Sequence, residues 1–168
     1  FKNEITRAYL NFDERGRDVD MIILHYTGMI SAKEALDRLC DPVAGVSCHY
    51  LVDEDGTIFA LVPEGKRAYH AGVGAWKGES DLNARSIGVE IGNPGHEWGY
   101  RKFPARQIEM TIELVRDIRS RRAVPQNRIL GHSDVAPQRK EDPGELFPWG
   151  KFAAEGQAIG RYTGDEDP

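Results

Sequence analysis

The 168-residue chain carries 22 Lys+Arg against 27 Asp+Glu, a formal charge of −5, which argues against a general nucleic-acid binder. No run approaches ~18 apolar residues, so no membrane span is expected, and two cysteines are too few for a disulfide scaffold. The length fits one domain, with a core over about 15–155 and a tail, 160–168, that frays, while 18 Gly and 9 Pro foretell many loops.

In chain order, residues 1–19 are polar and mixed, and Met21-Ile22-Ile23-Leu24 reads as a central strand, apolar on both faces, that runs into His25-Tyr26-Thr27-Gly28. Ser31 with Glu34 three residues on signals a capped helix to Cys40, stopped by Asp41-Pro42. Ser47–Asp53 and Thr57–Leu61 form a hairpin around Glu54-Asp55-Gly56. Residues 63–84 hold no period and read as a long functional loop. Ser86–Ile91 is a second buried strand, followed by a Gly- and Pro-rich loop over 92–103. Pro104 opens the best helix, with Ile108, Ile112, Val115 and Ile118 on one stripe. A short strand over 128–130, the segment Gly131–Gly144 and a last helix within Phe147–Ile159 complete the chain. The fold class is α/β, a central mixed sheet flanked by helices on both faces.

Histidine is the informative residue. His25 stands at the end of an all-apolar strand and His132 directly after another, the places where α/β sheets present site residues. Asp142, held before Pro143, lies two residues from Lys140, so in an extended chain both point the same way. Two imidazoles and a carboxylate are the three protein ligands of a catalytic zinc, with the fourth position left to water. In Ser86-Ile87-Gly88-Val89-Glu90-Ile91, alternation puts Glu90 beside small Ser86 and Gly88, away from Ile87, Val89 and Ile91. A Glu in a buried strand is costly unless paired or used, so Glu90 reads either as a carboxylate held by an Arg or Lys or as a general base. His49 is expected to be structural support and His96 exposed. Asn83, Arg85, Asn93 and Arg67 are candidate substrate-binding residues and Trp76 a candidate glycan contact, while His70 reads as a substrate contact, as support for a site residue, or as a plain loop residue. Cys40 and Cys48, eight apart, read as small buried thiols.

Leu24-His25-Tyr26-Thr27, Tyr69-His70-Ala71-Gly72, Ser86-Ile87-Gly88-Val89-Glu90 and Gly131-His132 with Lys140-Glu141-Asp142-Pro143-Gly144 together resemble the zinc-dependent N-acetylmuramoyl-L-alanine amidases. This is the type-2 family, related to phage amidase lysozymes and peptidoglycan-recognition proteins. The resemblance implies zinc on His25, His132 and Asp142, Glu90 as the base that activates water, and Lys140 as the oxyanion donor. The reaction it implies cleaves the amide between the lactyl group of N-acetylmuramic acid, or its anhydro form, and L-Ala of the stem peptide. The partner is then peptidoglycan or its fragments, and a monomer is expected. Only about 20 residues separate His25 from the hairpin, where some family members carry a longer insertion. An open groove that accepts intact peptidoglycan would follow. The lack of a visible targeting segment and the reduced thiols point instead to the cytoplasm and muropeptide recycling, with the cell envelope as the alternative. The alternative function is a non-catalytic peptidoglycan-binding module. Such binders often lack one ligand, and here all three positions are filled. His-Glu-x-x-His is absent, which weakens a peptidase of another type.

Overall fold

The computed structural model describes residues 2–3 and 11–160, so the tail expected to fray lies outside the described residues from 161 on. Strand β1 is Lys2–Asn3, β2 is Phe12–Glu14 and β3 is Met21–Tyr26. Helix α1 is Ala32–Leu39, followed by β4 (Tyr50–Val52), β5 (Ile58–Ala60) and β6 (Lys66–Ala68). Helix α2 is Leu82–Arg85, β7 is Ser86–Ile91 and α3 is Ala105–Arg121. A 3-10 turn, Gln126–Arg128, leads into β8 (Ile129–Gly131), then α4 (His132–Val135) and α5 (Trp149–Ala154).

Six strands form one mixed sheet in the order β1-β5-β4-β7-β3-β8. The β4–β5 hairpin is antiparallel, while β7 runs parallel to both β4 and β3, and β3 parallel to β8. Strand alternation sorts β3 onto two faces. Ile22 and Leu24 join Ile87, Val89 and Ile91 in packing against Ile108, Ile112, Val115 and Ile118 of α3 and Phe152 of α5. Met21 and Ile23 face the other way, toward Leu82 of α2, Val135 of α4 and Ala71. Helix α1 covers a second patch through Ala35, Leu36 and Leu39, and its N-terminus is capped by Ser31, whose Oγ accepts from the Glu34 N–H at 3.2 Å. Helices therefore cover both faces, as expected. Among the described residues no helix is long and apolar enough to cross a membrane. Neither cysteine is in a disulfide, and Cys48 is buried and Cys40 partly so.

Two elements depart from the sequence reading. The long loop over 63–84 contains β6, which pairs antiparallel with β2, and the short helix α2. The β2–β6 ribbon has little apolar content; its edges are tied by ion pairs from Lys66 to Glu14 (2.5 Å) and from Arg67 to Asp13 (3.4 Å). The last helix is short and lies within 147–159, as expected.

Arg15, just after β2, staples this ribbon to the rest. Its buried guanidinium donates to the carbonyls of Asn83, Ala84 and Ser86 through Nη1 (2.9–3.2 Å) and to Glu64 and Lys66 through Nη2 (2.8 and 2.6 Å). Burial lowers its pKa to about 10, which still leaves it charged at neutral pH. Arg15→Met would strip a donor from carbonyls in two separate segments, 64–66 and 83–86. The expected result is a loss of about 3 kcal/mol in urea-denaturation stability, since charged hydrogen bonds are worth ~1.5–3 kcal/mol each and removal leaves buried acceptors unmet.

Candidate metal centre and catalytic cleft

The parallel pairing of β3 with β7 sets His25 directly opposite Glu90 at the carboxyl ends of two central strands. His132 opens α4 immediately after β8, the other neighbour of β3. The chain then loops back to deliver Asp142. A Cβ on Gly131 would stand 2.8 Å from Pro143 Cδ, so the bare glycine lets this return segment approach. The Ser133 N–H then donates to the Asp142 carbonyl at 2.9 Å and fixes it beside His132.

His25, His132 and Asp142 are all buried, and their donor atoms converge. His25 Nδ1 is 3.0 Å from His132 Nδ1 and 3.4 Å from Asp142 Oδ2, and His132 Nδ1 is 3.2 Å from Asp142 Oδ1. His132 Nε2 faces the Ala71 carbonyl at 2.9 Å, which can only accept, so Nε2 carries a proton there and Nδ1 is the atom turned inward. His25 turns its Nδ1 the same way, with Nε2 engaged by His70 at 3.0 Å. Burial pulls the His25 pKa down to about 4, so its ring is neutral at pH 7. Burial alone would raise Asp142, but hydrogen bonding with and attraction to the His132 and His25 rings, which act when a ring carries a proton toward it, outweigh this and pull it below the usual carboxylate range. With both rings neutral and their protons on Nε2, three electron-pair donors would meet here, an arrangement a cation satisfies. Ligands ~2.0–2.2 Å from one tetrahedral ion stand roughly 3.3–3.5 Å apart, close to the separations here.

Glu90 and Lys140 line the same cavity of about 290 Å³, with His25, His132 and Asp142. One Glu90 oxygen, Oε2, is buried without a hydrogen-bond partner. Burial and the adjacent Asp142 charge raise the Glu90 pKa well above its ordinary value, and Lys140 opposes them. An unpaired carboxylate beside a cation-competent cluster is a proton acceptor in waiting. Helix α1 supplies one wall of the cavity through Ala35, Arg38 and Leu39, so the short segment after His25 borders the cleft.

Of the residues read as substrate contacts, the structure brings only His70 to the cavity. Asn83 is buried, and its Oδ1 accepts from the backbone N–H groups of His70 and Ala71 at 3.1 and 2.8 Å. Arg85 is buried in ion pairs with Asp20 and Glu79. Asn93 bridges its own loop, accepting from the Gly95 N–H at 3.0 Å and donating to the Arg101 carbonyl at 2.7 Å. Arg67 pairs with Asp81 at 2.8 Å on the ribbon, and Trp76 packs toward the Met21 cluster. Each sits near the Glu90 strand or the loop that borders it, yet its polarity or bulk serves the fold. His96, expected to be exposed, is half-buried: it stacks on Tyr100 with centroids 4.1 Å apart and bonds Tyr26 Oη at 3.0 Å. His49 has the structural role expected, taking the Gly88 N–H on Nδ1 (3.0 Å) and donating from Nε2 to the Lys66 carbonyl (2.8 Å). The sequence reading passes over Tyr26, Thr27, Arg38 and Tyr69, which line the cleft. The signal for Tyr26 and Thr27 was their place just beyond the end of a central strand.

Comparisons with known proteins agree with this geometry. The family model described as N-acetylmuramoyl-L-alanine amidase matches residues 15–145. N-acetylmuramoyl-L-alanine amidase AmiD of Escherichia coli is 37% identical over 150 residues, covering 82% of this chain and 53% of the relative. The 1,6-anhydro-N-acetylmuramyl-L-alanine amidase AmpD of Enterobacter cloacae is 35% identical over 109 residues, covering 65% of this chain and 56% of the relative. The solved complex of E. coli AmiD with anhydro-N-acetylmuramic acid-L-Ala-D-gamma-Glu-L-Lys superposes with a TM-score of 0.76 at 36% identity, over 87% of this chain and 59% of that one. The chain thus spans about half the length of these curated relatives.

Proposed function

The chain belongs to the N-acetylmuramoyl-L-alanine amidase family, and from that premise we propose that it is a zinc-dependent amidohydrolase of peptidoglycan stem peptides. The bond cleaved joins the lactyl group of N-acetylmuramic acid, or of its anhydro form, to L-Ala. The observation that carries this reading is the convergence of three donor atoms with Glu90 and Lys140 on one cavity. His25, His132 and Asp142 would hold the metal. When bound, zinc acts as a Lewis acid on the scissile carbonyl and lowers the pKa of water. Glu90 takes a proton from the attacking water and passes it to the departing amine. Its unpaired Oε2 has no competing partner to give up first. Lys140, an exposed ammonium at the cleft, offers the charge that meets the developing oxyanion, where one donor is worth ~2.7–4 kcal/mol.

A cavity of this size seats the groups around the scissile bond and leaves the rest of a muropeptide to extend along the open side. The test is zinc content together with release of L-Ala-headed peptide from anhydro-muramyl tripeptide and, in parallel, from intact sacculi. About one zinc per chain and peptide release are the expected results. A chain that takes up no zinc, or that cleaves neither substrate, would overturn the reading. The ratio of the two rates separates muropeptide recycling, with the cytoplasmic location it implies, from turnover of the wall in the envelope.

A further inference from the structure

We propose that His70 is a positioning residue that sets the tautomer of His25, through a proton relay that begins at Ser86 and a seat made by the bare backbone of Gly88. The inference rests on the zinc reading above and concerns how this chain prepares its donor atoms.

The relay follows from what each atom is able to do. Ser86 Oγ lies 2.6 Å from the Leu82 carbonyl, which only accepts, so the hydroxyl proton is committed there. Toward its other neighbour, His70 Nε2 at 3.1 Å, Ser86 therefore offers lone pairs, and Nε2 must bring the proton. Both ring nitrogens of His70 are taken up by Ser86 and His25, with no carboxylate paired to the ring, so the imidazole is neutral and its Nδ1 is bare. That bare Nδ1 accepts from His25 Nε2 at 3.0 Å. The proton of His25 is thereby held on Nε2, and its lone pair is left on Nδ1, the atom that faces His132 and Asp142.

The ring is placed as deliberately as it is polarised. A Cβ on Gly88 would come within 2.6 Å of His70 Nδ1 and Cδ2, so only glycine on β7 leaves room for it. The backbone is pinned too, because the N–H groups of His70 and Ala71 both donate to Asn83 Oδ1. Ala71 supplies the carbonyl that fixes the His132 tautomer, and Arg139 Nη2 supports that same carbonyl at 2.9 Å. One short loop segment thus orients both imidazoles of the cluster, one through a side chain and one through a carbonyl.

The experiment reads proton position and zinc affinity separately. Long-range proton–nitrogen spectra of 15N-labelled protein, zinc-loaded and chelator-stripped, report which nitrogen of His25 is protonated. Competition with a chromophoric chelator gives the zinc dissociation constant. The expected wild-type result is a proton on His25 Nε2 in both states. His70→Ala should give mixed His25 tautomers when stripped and weaken zinc about 10–100-fold. His70→Asn returns an acceptor oxygen near the place of Nδ1 and should recover most of that loss, which a merely space-filling role would not predict. Ser86→Ala should fall between, and it carries the test with His70→Asn if His70→Ala does not fold. A wild-type His25 protonated on Nδ1, or a His70→Ala variant with zinc affinity within about threefold of wild type, overturns the proposal. A wild type that holds the Nε2 proton yet binds no zinc supports the relay and overturns the zinc reading instead.

Discussion

His132→Ala is expected to lose zinc and turnover together. The three donors stand within hydrogen-bonding distance of one another, so on the zinc reading the cluster works as a unit around a cation. Removing His132 leaves one imidazole and one carboxylate. If ~10–16 kcal/mol of zinc binding is spread over four ligands, each is worth roughly 2.5–4 kcal/mol, or about 10²–10³ in affinity. The variant should therefore release its metal to a moderate chelator that leaves the native protein loaded. The alanine also abandons the bond to the Ala71 carbonyl, which Arg139 still satisfies at 2.9 Å, so the loss should fall on metal more than on folding. Elemental analysis and an L-Ala release assay check this. A variant that keeps both stoichiometric zinc and native activity would remove His132 from the centre.

Glu90→Gln should behave in the opposite way, holding zinc while losing about 10²–10⁴ in kcat, the usual range for a deleted general base. The substitution preserves shape at a position paired in register with both His25 and Leu51, so the strands need not move. It replaces an acceptor that has an unpartnered oxygen with an amide that cannot take a proton. Steady-state kinetics beside metal analysis separate the outcomes. Loss of zinc in this variant would recast Glu90 as a ligand, and turnover within a few-fold of native would place the base elsewhere.

Much of this was legible because physics left few alternatives. A strand apolar on both faces has to be central, and Met21–Leu24 and Ser86–Ile91 are. An imidazole at such a strand's end, and another just past β8, have little reason to be there unless used. The Ile108–Ile118 stripe and the Ser31 cap behaved as local rules say. What stayed hidden depends on partners far away in sequence. The β2–β6 ribbon is built from polar residues matched across more than fifty positions, so no window of the chain shows a period. Asn83, Arg85 and Asn93 look like ligand contacts because they are polar and close to Glu90. In the fold, Asn83 and Asn93 satisfy backbone groups, and the buried Arg85 pairs with half-buried Asp20 and exposed Glu79. A side chain that answers an amide and one that answers a sugar have the same sequence signature. His70 is the instructive case, since it reaches the cleft and also holds another residue in place.

The alignment of His25 with Glu90 has one more consequence. Both are delivered by parallel strands: β3 is apolar on both faces from Met21 to Leu24 and does not by itself choose an alignment, while β7 alternates Ile87, Val89 and Ile91 with Ser86 and Gly88. A slip of one residue would swing Glu90 into the packed layer beneath α3 and turn an aliphatic toward the histidines. Chemistry and chain alignment are therefore proofread by the same pair. On the zinc reading, a misaligned molecule would be blind to the metal, and the metal-to-protein ratio of a refolded sample would count the correctly threaded sheets.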